Sequence, residues 1–156
     1  MSTIENLFKK LKEKKVTVSA AESCTAGYLS YLLTTLPGSS EIFKGAVIVY
    51  SLESKNKLFN IPYSLLNRTD GVCRKICSIL AKNVKKQFTT DIGLAVVGFA
   101  GPKAKKGIKV GTVYIGVSYK NQCVIKKLSL KGKRNTIRQT ASMRLIELLY
   151  KALNKE

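Results

Sequence analysis

Three side chains able to do chemistry stand in a row at Ser23-Cys24-Thr25. The residues before them, Val16-Thr17-Val18-Ser19, alternate β-branched and small polar types, the pattern of a half-buried strand. The residues after them place apolar side chains at Tyr28, Leu29, Leu32, Leu33 and Leu36, the spacing of a helix face. Small hydroxyl residues where a strand runs into a helix have three uses. They cap the helix, they bind an anion beside the free N–H groups of its first turn, or they attack a carbonyl. The sequence holds no histidine, which excludes Ser-His-Asp and Cys-His chemistry within this chain. A nucleophile here needs a lysine, a carboxylate, a tyrosine or a helix terminus to activate it.

Other groups are candidates on weaker grounds. Ser39 and Ser40 follow Pro37-Gly38, so they are turn residues or hydroxyls offered to a ligand. Lys55 falls in the first or second turn of the helix expected over 52–59, where a lysine is ordinarily solvated. Gly98-Phe99-Ala100-Gly101-Pro102 is a loop whose glycines serve a turn or a close backbone approach. Lys103, Lys105, Lys106 and Lys109 crowd the next loop. Arg138 lies near the start of the last helix, the wrong sign for that end of the helix dipole, so a local anion would compensate it.

The elements that must position these groups read as follows. A helix over 3–15 carries Ile4, Leu7, Phe8 and Leu11 on one stripe. A strand over 45–50, Gly-Ala-Val-Ile-Val-Tyr, is apolar enough to be buried on both faces. Pro62 opens a short helix or turn anchored by Leu65 and Leu66, and a helix over 72–88 carries Val72, Ile76, Ile79, Leu80 and Val84 inward. A second buried strand covers 91–98. Strands over 110–119 and 123–130, joined at Asn121-Gln122, form an antiparallel hairpin. A closing helix over 133–153 carries Ile137, Ala141, Leu145, Leu148, Leu149 and Leu153 on its stripe, with Arg134, Arg138 and Arg144 at its sides. Helices alternating with strands predict an α/β class domain: three layers, α/β/α, around a mixed, mostly parallel sheet with a C-terminal antiparallel hairpin.

With 156 residues, 45% of them hydrophobic, the chain suits one domain and one sizeable core. The net charge of +19 attracts phosphates and acidic surfaces but confers no specificity. Lysines are scattered over every segment, and no stripe of aromatics is interleaved with them, so a nucleic-acid partner is not expected. Cys24, Cys73, Cys77 and Cys123 follow no secretory leader and are expected as reduced thiols. Without histidine or a Cys-x-x-Cys pair there is no expected metal site. No apolar run approaches membrane-spanning length, and a cytoplasmic location follows as the expectation.

Several of these pieces occur together and in order: Ala21-Glu-Ser-Cys-Thr-Ala-Gly27, Pro37-Gly-Ser-Ser40, Tyr50-Ser-Leu-Glu-Ser-Lys55, Gly98-Phe-Ala-Gly-Pro102, Val110-Gly-Thr-Val113 and the late helix with Arg138. The set, spanning about residues 5–153, resembles the CinA C-terminal domain family, the nicotinamide-nucleotide amidases. The resemblance implies a single amidase-like domain over 1–156, in the stand-alone form without the N-terminal domain of larger members. It implies hydrolysis of nicotinamide mononucleotide to nicotinate mononucleotide and ammonia, in pyridine nucleotide salvage, with no cofactor or metal. Ser23 would be the nucleophile, with Ser39 or Ser40 the alternatives, Lys55 the base and Tyr50 its catalytic companion. N–H groups around Cys24 and Thr25 would hold the oxyanion. Gly98, Ala100 and Gly101 would line the substrate loop, and Arg138, Ser39 and Ser40 would hold phosphate or ribose. A free lysine titrates near ~10.4, so a working base requires a depression of roughly three units, which burial and neighbouring positive charge can supply. A homo-oligomer is expected, as is common for α/β domains of this size.

The sequence departs from the family pattern at Val97, where a Thr or Ser is usual, and at Cys73, where a Ser is usual. The loop 103–109 is shorter and more basic than usual, and Ala26-Gly27 replaces a Gly-Gly pair. Losing a hydroxyl at position 97 that hydrogen-bonds substrate would cost about 1–3 kcal/mol. On those grounds the alternative to an amidase is a nucleotide-binding module of the same fold.

Overall fold

The computed structural model describes residues 1–155. Helix α1 (Thr3–Lys14) is set by a capping box: Ser2 accepts from the Glu5 N–H, and the Glu5 side chain accepts from the Ser2 N–H. It buries Leu7, Phe8 and Leu11, and Lys15 ends it in the left-handed region. There follow β1 (Val18–Glu22), α2 (Tyr28–Leu33), α3 (Ser39–Ile42), β2 (Phe43–Ile48), α4 (Leu52–Phe59) and α5 (Tyr63–Thr69). The chain closes with α6 (Arg74–Gln87), β3 (Ile92–Gly98), β4 (Thr112–Tyr119), β5 (Gln122–Ser129) and α7 (Arg134–Leu153).

The strands form one sheet in the order β2-β1-β3-β4-β5. It is parallel across β2, β1 and β3 and antiparallel through β4 and β5, the mixed sheet with a terminal hairpin that the sequence predicts. Tyr119 pairs with Gln122, so the hairpin turns at Lys120-Asn121, one residue earlier than expected.

Alternation along the central strands divides the core in two. Val18 and Ala20 of β1 with Ile92, Leu94 and Val96 of β3 face the layer of α1, α2 and α7. Ala21, Ala95 and Val97 face the layer of α4, α5 and α6. With helices on both faces every residue of β1 is buried, which is the condition for parallel strands. β2 departs from the expectation of burial on both faces. It lies at the sheet edge with β1 as its strand neighbour, so Lys44 and Ile48 are exposed and the rest is half-buried. The apolar run is real, but its position in the sheet decides what covers it. Among the described residues no helix is long and apolar enough to cross a membrane.

Candidate active site

The parallel strands point their carboxyl ends to one side, where an open α/β sheet places its ligands. There the Ser23 N–H extends the β1–β3 ladder by donating to Val96 O, and the Val49 N–H donates to Glu22 O. Ser23, Tyr50 and the 98–101 loop thereby meet around a cavity of about 330 Å³, lined also by Lys55, Asp70 and Arg134.

Lys55 reaches this point because α4 starts where it does. Ser51 and Ser54 form a capping box at its N-terminus, a device worth about 1 kcal/mol. The cap puts Lys55 one turn in, facing the sheet. Its side chain is buried at 3% exposure, and its Nζ donates to Ser23 Oγ at 2.9 Å and to Val49 O at 2.8 Å. Gly71 passes against its stem in the left-handed region, where a Cβ would stand 2.7 Å from Leu52 Cδ2 and 3.5 Å from Lys55 Cδ and Cε. Burial disfavours the ammonium and lowers the pKa of Lys55 to about 8, against opposing contributions from Cys24 and from Asp70. No positive neighbour is needed: desolvation supplies the shift. The Cys24 thiol, also at the cavity, is pushed up to about 11, mainly by burial. Of the two adjacent nucleophile candidates, only the serine is hydrogen-bonded to an amine, and the thiol stays protonated.

Ser23 is not the N-cap of the following helix. A turn separates it from α2, whose N-cap is Gly27 with no side-chain cap bond. The capping role belongs to Glu22, which is completely buried. Its Oε1 accepts from Thr25 Oγ1 at 2.6 Å and from the N–H groups of Gly27 and Leu29, and its Oε2 accepts from the N–H and Oγ of Ser30. The Thr25 hydroxyl is thus committed to Glu22 rather than turned to a ligand. Arg138 is likewise committed. It donates from Nε to Cys24 O at 2.9 Å, from one terminal nitrogen to Thr25 O at 3.1 Å, and from the other to Asn135 Oδ1. It does not line the cavity, and carbonyls of the turn take the place of the anion expected beside it.

The guanidinium that does line the cavity is Arg134, one turn earlier on α7. It donates to Gly101 O and, at 2.6 Å, to the Tyr50 hydroxyl. Tyr50 is 57% exposed and stands at the rim, where its hydroxyl accepts from Arg134. Gly98, Ala100 and Gly101 line the cavity as expected, with Lys103 beyond them. Gly98 is also needed by the sheet, since a Cβ there would lie 2.6 Å from Val113 Cγ2 and 2.9 Å from Thr112 O.

Two further expectations change, and a third holds. Ser39 and Ser40 open the short helix α3, which packs on α1 and β2, and neither lines the cavity. Within this chain, neither hydroxyl stands beside Ser23 and Lys55 at the cavity. Val97 is fully buried in the core that α6 covers and does not line the cavity. Cys73 does sit at a helix start: it is the N-cap of α6, its Sγ accepting from the Ile76 N–H as a Ser would.

Sequence reasoning passed over Glu22, Asp70 and the particular role of Arg134. For Glu22 a signal existed. It is the one acid between Glu13 and Glu41, and it ends a run of apolar and small residues. A carboxylate in a buried strand requires partners.

Fold and geometry define an α/β domain with a buried serine–lysine pair at the carboxyl ends of its parallel strands. The sequence model of the CinA C-terminal domain matches residues 1–153, and the chain belongs to that family. A CinA-like protein of Dictyoglomus turgidum is 38% identical over 144 residues, covering 92% of this chain and 35% of that protein. Another from Prochlorococcus marinus is 41% identical over 140 residues, covering 88% and 33%. The chain thus spans about a third of the length of the curated relatives it matches. The crystal structure of competence damage-inducible protein A from Klebsiella pneumoniae superposes with a TM-score of 0.94 at 22% identity, covering 98% of this chain and 96% of that one. At that identity the likeness is one of fold.

Proposed function

We propose that this protein hydrolyses the carboxamide of nicotinamide mononucleotide, releasing nicotinate mononucleotide and ammonia by a serine–lysine mechanism. The observation that carries this is the 2.9 Å hydrogen bond between Lys55 Nζ and Ser23 Oγ at a buried site where the amine titrates at about 8. Protonated Lys55 donates to the serine; once it loses one proton, its lone pair accepts the Ser23 hydroxyl proton instead. Ser23 Oγ then bonds to the amide carbon, the carbonyl electrons move to oxygen, and the proton passes to Lys55. Collapse expels the amide nitrogen, which takes that proton and leaves as ammonia. Water attacks the resulting ester while Lys55 accepts its proton, and the acid departs as Ser23 Oγ recovers a proton.

The N–H groups of Cys24 and Thr25 donate to no other residue among the described residues, which supports a role for them as oxyanion donors. Phosphate recognition falls to Arg134 and Lys103, the cations of the cavity rim, rather than to Arg138. A cavity of about 330 Å³ is of the size that encloses small ligands.

The test is ammonia release from nicotinamide mononucleotide by the purified chain, with Ser23→Ala and Lys55→Ala as controls. Turnover by the wild type that falls to background in Ser23→Ala supports the proposal. No turnover at millimolar substrate, together with calorimetric binding of the nucleotide, would replace it with the binding module.

A further inference from the structure

Of the backbone N–H groups of the turn between β1 and α2, all but two donate to another of the described residues. The carbonyls of Cys24 and Thr25 accept from Arg138, and the Ala26 N–H donates to Ser23 O. The N–H groups of Gly27, Leu29 and Ser30 donate to Glu22. What remains is the N–H of Cys24 and that of Thr25. A trans peptide carries its C=O and N–H on opposite sides. Drawing the Cys24 carbonyl to Arg138 therefore aims the Thr25 N–H away from the guanidinium. Arg138 itself lies off the cavity, while Ser23 and Cys24 line it.

We infer that Glu22 and Arg138 form a two-charge clamp that orients the nucleophile turn and presents the Thr25 and Cys24 N–H groups as oxyanion donors. The carboxylate gathers the donors of the turn's second half, and the guanidinium gathers the acceptors of its first half. Both are positioning residues: neither touches substrate. A lysine at 138 could not replace the arginine, because one ammonium does not reproduce a planar fork to two carbonyls. The assignment of oxyanion donors rests on the amidase reading; the clamp on the turn does not.

The test compares wild type, Arg138→Gln and Arg138→Lys, each checked for cooperative thermal unfolding. Ammonia release gives kcat and KM, and calorimetry gives the affinity for nicotinate mononucleotide. The expected loss in kcat for Arg138→Gln is about 10²–10³-fold, the usual effect of losing an oxyanion donor. KM and product affinity stay within about threefold, which is the sign of an interaction made in the transition state alone. Arg138→Lys keeps the charge and recovers only part of the rate. A rise in KM and a loss of product affinity at unchanged kcat would make Arg138 a ligand of the substrate and overturn the clamp. If the wild type releases no ammonia, the amidase reading fails separately. The clamp is then judged by nitrogen-15 amide spectra: the Cys24 and Thr25 signals move in Arg138→Lys while those of Leu94 and Val96 stay. Unmoved turn signals would overturn it.

Discussion

Two arginines one turn apart on α7 face the same site with opposite duties. Arg138 is half-buried and spends its fork on carbonyls of the nucleophile turn, while Arg134 is exposed and bonds Gly101 and Tyr50 at the cavity rim. The same division runs through the whole site. On the inner side Glu22, Ser23, Thr25 and Lys55 are buried, and their side chains are hydrogen-bonded to one another or to backbone. On the outer side Tyr50, Lys103 and Arg134 are exposed to solvent. Buried groups have one geometry, so they can hold the reacting atoms; exposed ones adapt, so they can select what enters.

That contrast predicts how substitutions divide between rate and binding. The largest effect belongs to the pair itself. Lys55→Ala is expected to lower kcat for ammonia release by about 10²–10⁴-fold, the range for a general base, with product affinity by calorimetry nearly unchanged. Next comes Arg134→Ala, which removes a charged donor to the ligand's phosphate. Its expected cost is about 1.5–3 kcal/mol, or roughly 10–100-fold in KM, with kcat held. A loss in kcat instead would erase the distinction between rim and interior. The smallest is a matter of stability. Glu22→Gln turns an amide NH₂ or a single acceptor toward groups that all donate, which costs about 1–3 kcal/mol. For a chain of this length that lowers the melting temperature by several degrees, at about 2–4 °C per kcal/mol. An unshifted melting curve would show that the turn does not depend on its carboxylate.

How much of this was legible in the sequence follows from what each signal depends on. Local patterns carry their own signal. Helix α4 covers 52–59 as its composition predicts, and with it Lys55 arrives at the site. Residues whose meaning depends on tertiary neighbours do not. The 45–50 run is apolar, yet only the strand order makes it an edge. Arg138 and Arg134 have the same side chain at positions one turn apart, and which reaches the cavity is set by where the nucleophile turn lies. Glu22 is hidden in a sequence motif, and only its place inside a buried strand reveals a charge that requires partners. Ser39 and Ser40 have the residue type of a ligand-binding pair, but the fold of α3 carries them away from the cavity.

The central claim is that burial makes Lys55 a base able to take the Ser23 proton. It is tested most directly by the pH dependence of kcat/KM for ammonia release. The neutral amine is the active form and its pKa is depressed, so the rate should rise with pH, reach half its maximum near about 8 and level off above. A midpoint near the ordinary lysine value of ~10.4, or a profile flat across that range, would contradict it.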